Sequence, residues 1–121
     1  DNLSSSLALI KAGEVQALGV TTLKRSPAAP EIPTLAEQGL TGFEAVSWFS
    51  LMAPANLPSP IQKRLNQMVR QTLANPEVKA RLLAGGLDPA PSSPQALSKQ
   101  IAAEASKWSR VVQQSGAKLE Q

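Results

Sequence analysis

The sequence predicts an α/β chain whose sheet is incomplete. Three observations carry this. Two short, nearly continuous apolar runs have strand character, at 15–22 and 43–53. Four longer stretches repeat their apolar residues at helical spacing, and proline-rich breaks separate the two kinds of signal. With 121 residues the chain suffices for one domain. At 42% hydrophobic and 17% charged it has the composition of a packed protein rather than a disordered one. Its aromatics are Phe43, Trp48, Phe49 and Trp108, so the core must come from Leu, Ile, Val and Ala.

The first element is a helix over 2–12, with Leu3, Leu7 and Ile10 on one face and Gly13 as its stop. The run VQALGVTT at 15–22 reads as a strand apolar on both faces. Pro27, Pro30 and Pro33 make 24–33 an extended connection. Thr34 and Glu37 form a capping box for a very short helix, which Gly39 and Gly42 cut off. The run FEAVSWFSLMA at 43–53 reads as a second strand, bent near Ser50.

After the proline-rich break at 54–60 the signals are helical. Ser59-Pro60, Asn75-Pro76 and Ser93-Pro94 each place a capping side chain ahead of a proline at the first helical position. The expected helices are 60–74, with Ile61, Leu65, Met68, Val69 and Leu73 buried; 76–84, with Val78, Leu82 and Leu83 buried; and 94–115, with Leu97, Ile101, Ala105, Trp108, Val111 and Val112 buried. A short strand at 87–90 is possible. Two doubly apolar strands cannot close a sheet. Such strands need neighbours on both sides and helices on both faces, so the missing strands belong to an absent part of the chain or to a partner, and self-association is expected.

Composition narrows the chemistry. Histidine and cysteine are absent, which removes most transition-metal sites, thiol catalysis, disulfides and imidazole acid–base chemistry. The net charge of +3 is scattered, with Lys24-Arg25 and Lys63-Arg64 the adjacent cation pairs and no interleaved aromatics, so no nucleic-acid partner is expected. No G-x-S-x-G elbow or P-loop exists, and a Ser–Lys reading of Ser4-Ser5-Ser6 with Lys11 lacks anything to orient the lysine. Trp48-Phe49 and Trp108 read as core, Glu37 as a cap and Glu104–Lys107 as a surface pair. No catalytic residue, metal or cofactor is assigned. What remains is the start of the first helix. Asp1, Asn2, Ser4 and Ser5 are the candidate ligand-binding residues, because free amides and the helix dipole favour an anion there.

These segments resemble a known family. Residues 10–60 carry Lys11-Ala12-Gly13, Arg25-Ser26, Pro33-Thr34, Glu37, Gly39, Trp48-Phe49, Pro54 and Pro58. The tail adds Asn75-Pro76-Glu77-Val78, Gly85-Gly86, Lys107-Trp108 and Val111-Val112. In this order they resemble the C-terminal portion of Bug or TctC-type extracytoplasmic solute receptors of tripartite tricarboxylate transport systems. Ser50 departs from the pattern, where glycine is usual.

The resemblance implies an α/β, two-lobed, type 2 periplasmic-binding-protein fold of which this chain is the C-terminal portion. It implies residues 1–49 as the later part of the second lobe, 50–58 as a hinge crossing and 59–121 as a helical return onto the first lobe. It further implies a non-enzymatic periplasmic receptor that captures a small carboxylate for membrane transporter subunits, with Asp1 to Ser5 near the interlobe cleft. The chain carries no signal peptide, and its start at Asp1 suggests a processed or excised polypeptide. A free-standing dimeric interaction or sensory module is the alternative.

Overall fold

The computed structural model describes residues 1–117. They form four helices: α1 (Leu3–Lys11), α2 (Ser59–Ala74), α3 (Pro76–Ala84) and α4 (Pro94–Ser115). The chain divides into two compact units, Asp1–Ala90 and a second beginning at Pro91. The end of the expected helical return, 118–121, lies outside the described residues.

In the first unit, the stripe on α1 sets the core. Leu7 is buried with Ala29 and Ile32, and Leu3, Ile10, Ala17, Val20 and Ala28 pack around them. Ala29 and Ile32 reach Leu7 because the proline-rich loop makes two consecutive turns. The Ala29 amide donates to the Ser26 carbonyl (3.1 Å) and the Ile32 amide to the Ala29 carbonyl (3.2 Å). Proline limits the unfolded freedom of this loop, so less entropy is lost when it is fixed. Gly13 takes φ +75° directly after α1, a left-handed turn that releases the chain from the helix.

The loop is fastened at both ends. The buried Ser26 hydroxyl donates to the Asp88 carboxylate (3.0 Å to Oδ1) and accepts from the Ala28 amide (3.2 Å). At the other end the Thr34 amide donates to Glu37 Oε2 (2.7 Å), and the Glu37 amide donates to Thr34 Oγ1 (3.0 Å). The capping box therefore forms as the sequence predicts. No helix follows it: residues 35–39 are a turn, closed by the Leu40 amide on the Leu35 carbonyl, with Gly39 at φ +106°.

The expected strands are corrected. Among the described residues, 15–22 and 43–53 form no ladder, and 87–90 forms no strand. What exists is one isolated parallel bridge, Val20 with Thr34, made by the Val20 amide on the Pro33 carbonyl and the Leu35 amide on the Val20 carbonyl, both 2.9 Å. One further attachment ties the runs together: the Ala45 amide donates to the Thr21 carbonyl (3.1 Å), and the Thr21 hydroxyl donates to the Ala45 carbonyl. Apolar composition supplies the tendency to pair, but a strand needs a neighbour to hydrogen-bond, and these runs find only fragments of one.

The caps of the later helices divide in outcome. The Asn75 carbonyl oxygen of the side chain accepts from the amides of Glu77 (2.9 Å) and Val78 (3.3 Å), and Ser93 Oγ accepts from Ala96 (3.1 Å). Ser59 does not cap. It is the first residue of α2, Pro58 is the N-cap, and Pro60 sits at the second helical position. Helix α3 ends at Gly85-Gly86, where the Leu87 amide returns to the Leu82 carbonyl (2.9 Å), the long-range bond of a Schellman ending. In the second unit, α4 stops at Gly116 in the left-handed region.

The predicted burial of the helix stripes is also corrected. Neither α2, α3 nor α4 buries a residue fully. Ile61, Leu65 and Met68 on α2 are about half exposed, and Ile101, Trp108, Val111 and Val112 on α4 are exposed as well. Ala105 is exposed. Trp48 and Phe49 are surface residues too, Phe49 at 81% exposure. Helix α2 contacts α3, and its Asn66, Val69 and Leu73 are half-buried.

Candidate functional site

The start of α1 gathers most of the residues singled out from sequence. The Asp1 carboxylate lies over the first turn. Its Oδ1 accepts from the Asn2 amide (2.8 Å) and the Ser5 hydroxyl (2.9 Å), and its Oδ2 accepts from the Ser6 hydroxyl (2.8 Å). Both hydroxyls also lie within reach of the Asn2 carbonyl, Ser5 at 2.7 Å and Ser6 at 3.1 Å. Each has a single proton to divide between these acceptors. A negative group at this position is favoured by the positive end of the helix.

Asn2 is the N-cap in extended conformation, yet its side chain makes no capping bond. The structure thus joins Asp1, Asn2 and Ser5 and adds Ser6, which sequence reasoning left out. Ser4 is exposed and lies outside this cluster. In this structure the Asp1 carboxylate is itself the anion hydrogen-bonded at the helix start.

A second residue missed from sequence is Gly86. A β-carbon on it would lie 2.9 Å from the carbonyl carbon and oxygen of Leu3 and from Cα of Ser4, and its φ is +72°. The turn after α3 therefore presses directly on the first turn of α1, backbone against backbone. The sequence signal was only a Gly-Gly helix stop; the contact behind it is tertiary. Ser26–Asp88 ties the same turn region to the proline-rich loop.

Electrostatics elsewhere are local. Glu37 is held below the usual carboxylate range, first by the Thr34 amide and then by Arg25, whose Nε lies 3.0–3.1 Å from both carboxylate oxygens. In the α4 unit, Glu104 is lowered by hydrogen bonds from Lys107 Nζ and Trp108 Nε1, each at 2.7 Å. Lys107 also lies 5.4 Å from the centre of the Trp108 ring. Trp108 uses its polar handle at the surface instead of filling a core.

A shallow groove on α2 is lined by Pro60, Ile61, Arg64, Leu65 and Met68, with a volume of about 270 Å³. It is open, and smaller than the roughly 300–1,000 Å³ clefts that enclose small solutes. No helix among the described residues is long and apolar enough to cross a membrane.

Four helices joined by irregular apolar runs make up an incomplete α/β chain, and comparison with known proteins gives its family. The family model described as the tripartite tricarboxylate transporter family receptor matches residues 1–117, and the chain belongs to that family. Its fold is that of part of a periplasmic binding protein. Three solved structures support this. The R. palustris protein Rpa4515, solved with adipate, is 38% identical with a TM-score of 0.82, covering 96% of this chain and 39% of its own. The periplasmic binding protein BugD is 29% identical with a TM-score of 0.78, covering 95% and 39%. MatC (Rpa3494) from Rhodopseudomonas palustris, solved with bound malate, is 34% identical with a TM-score of 0.74, covering 91% and 38%. The chain spans 34–36% of the length of the first curated relatives it matches.

Proposed function

We propose that this chain is part of a non-enzymatic periplasmic receptor that captures a small carboxylate and delivers it to the membrane subunits of a tripartite tricarboxylate-type transporter. The observation that carries the reading is the match over residues 1–117, supported by likeness to proteins solved with adipate and with malate, both dicarboxylates. In this reading residues 1–49 belong to the later part of the second lobe, 50–58 cross the hinge and 59–121 return to the first lobe. Asp1, Asn2, Ser4 and Ser5 then line one side of the interlobe cleft. The Asn2 side-chain amide and the Ser4 hydroxyl offer hydrogen bonds to the solute, while Asp1 orients Ser5. The start of α1 is braced by Gly86, so these donors are presented on a fixed backbone.

A small ligand needs most of its surface enclosed for useful affinity, and this chain supplies one wall. The expected dissociation constants of adipate and malate for the 121-residue chain are about millimolar or weaker. Nuclear magnetic resonance titration checks this: small, saturable shifts should be confined to residues 1–6 and the turn at Gly86. Shifts elsewhere, or a micromolar constant, would refute the one-wall reading. The runs at 15–22 and 43–53, which form no ladder among the described residues, are the surfaces through which the isolated chain self-associates in this reading. A monodisperse monomer at high concentration in light scattering would defeat that part.

A further inference from the structure

Helix α1 rests on two supports. Leu7 is buried with Ala29 and Ile32 of the proline-rich loop. One turn earlier the backbone of Leu3 and Ser4 meets Gly86, on which a β-carbon would lie 2.9 Å from both residues. The two supports are themselves joined. Asp88, two residues beyond Gly86, accepts from the buried Ser26 hydroxyl, at 3.0 Å to Oδ1 and 3.2 Å to Oδ2. Ser26 opens the turn that carries Ala29, whose amide donates to the Ser26 carbonyl (3.1 Å). On its other side the turn at 85–88 is fixed to α3, by the Gly86 amide on the Leu83 carbonyl (3.0 Å) and the Leu87 amide on the Leu82 carbonyl (2.9 Å). Helix, turn and loop close a ring through space, and the Ser26–Asp88 hydrogen bond is its side-chain link.

A helix held at one point can rock about it; held at two points of fixed spacing, it cannot. Leu3 and Leu7 lie four residues apart, about 6 Å along the helix axis. Slack of about 1 Å between the supports therefore tilts α1 by about 10°, the scale on which a binding constellation loses its geometry. The tilt moves the start of the helix, where Asp1, Asn2, Ser5 and Ser6 gather. The Ser26 hydroxyl is committed in both its roles: its one proton goes to Asp88 and its oxygen accepts from the Ala28 amide (3.2 Å). We propose that Asp88 is a positioning residue of the solute-binding wall: by holding Ser26 it fixes the tilt of α1, and with it the direction in which Asn2 and Ser4 are presented. Asp88 acts through Ser26 and is not itself a solute contact. The role of the wall rests on the receptor reading above; the tilt of α1 does not.

The test uses three variants of the 121-residue chain. Asp88→Ala removes the acceptor, Ser26→Ala removes the donor, and Asp88→Asn keeps a side-chain oxygen that can accept from Ser26. Residual dipolar couplings of the backbone amides, measured without solute, give the direction of α1 relative to the turns at 26–32. Asp88→Ala and Ser26→Ala should each turn α1 by about 10° or spread its directions over that range, and Asp88→Asn should keep the wild-type direction. In adipate and malate titrations the dissociation constants of Asp88→Ala and Ser26→Ala should weaken at least about threefold, with Asp88→Asn near wild type. A wild-type direction of α1 in Asp88→Ala would overturn the proposal, and should that variant fail to fold, the same result in Ser26→Ala would do so. So would unchanged solute constants in variants whose α1 has turned, or an Asp88→Asn that behaves as Asp88→Ala. If α1 turns as expected while neither solute shifts residues 1–6 of the wild-type chain, the receptor reading fails and the hold of Asp88 on α1 stands.

Discussion

Helix α1 is nine residues long and buries Leu7; α2 is sixteen residues long, has the cleaner division between apolar and polar faces, and buries no residue fully. The difference lies in what each helix meets. Around Leu7, two turns of a proline-rich loop fold Ala29 and Ile32 inward, fixed by Ser26–Asp88 at one end and Thr34–Glu37 at the other. On α2, the stripe of Ile61, Leu65 and Met68 faces an open groove. An amphipathic pattern states which face of a helix is stabilised by leaving water; burial itself depends on a partner surface.

Substitutions that attack this contrast should differ widely in size. The largest effect is expected from Gly86→Ala. The left-handed conformation costs a non-glycine residue about 1–2 kcal/mol, and a β-carbon 2.9 Å from the Leu3 and Ser4 backbone forces apart the brace on α1. With overpacking of about 1–3 kcal/mol added, the loss should reach about 2–5 kcal/mol in denaturant unfolding. A near-wild-type midpoint would mean that the turn after α3 does not press on α1. Next is Leu7→Ala, expected to cost about 2–3 kcal/mol as a buried truncation in a small core that can partly collapse. Leu65→Ala, the same change in chemistry on the exposed stripe, should stay within about 0.5 kcal/mol in the isolated chain. Equal effects at the two leucines would erase the distinction between the helices.

The capping box offers a smaller, pH-dependent probe. Thr34→Ala removes the acceptor for the Glu37 amide and should cost about 1 kcal/mol. Glu37 is lowered in the folded protein, so the unfolded state takes up its proton first as pH falls. Its contribution is therefore present above the ordinary carboxylate value of 4.5 and disappears as pH falls through the lower folded value. Glu37→Gln should flatten the acid limb of a stability–pH curve over that window. An unchanged limb would assign acid sensitivity to other carboxylates.

Smallest is the surface pair on α4. Glu104→Gln should weaken the Lys107 bond and alter the environment of the Trp108 indole, visible as a fluorescence shift, with the denaturation midpoint nearly unchanged. A large loss of stability would show that the pair is structural.

The sequence by itself determined the helices and most of their ends. Pro76, Pro94, Gly85-Gly86 and Gly116 act through local dihedral preference, and the Asn75, Ser93 and Thr34 caps reach amides two or three residues away. All of these are near-neighbour effects, which is why they could be read without the fold. Ser59 was misread because Pro58, one residue earlier, took the cap position. The family was legible too, since an ordered set of prolines, glycines and Trp-Phe survives where no single motif is specific.

Other outcomes required tertiary structure. The runs at 15–22 and 43–53 have strand composition, but the first makes one bridge, to Thr34, and the second makes none, because a ladder depends on a second chain segment at the right register. The brace of Gly86 on Leu3, the Ser26–Asp88 bond across sixty-two positions and the inclusion of Ser6 with Asp1 all join atoms through space. Burial was the least readable quantity. Leu7 and Leu65 occupy equivalent places in their helical patterns, and only the arrangement of the rest of the chain decided that one meets Ala29 and Ile32 while the other faces water.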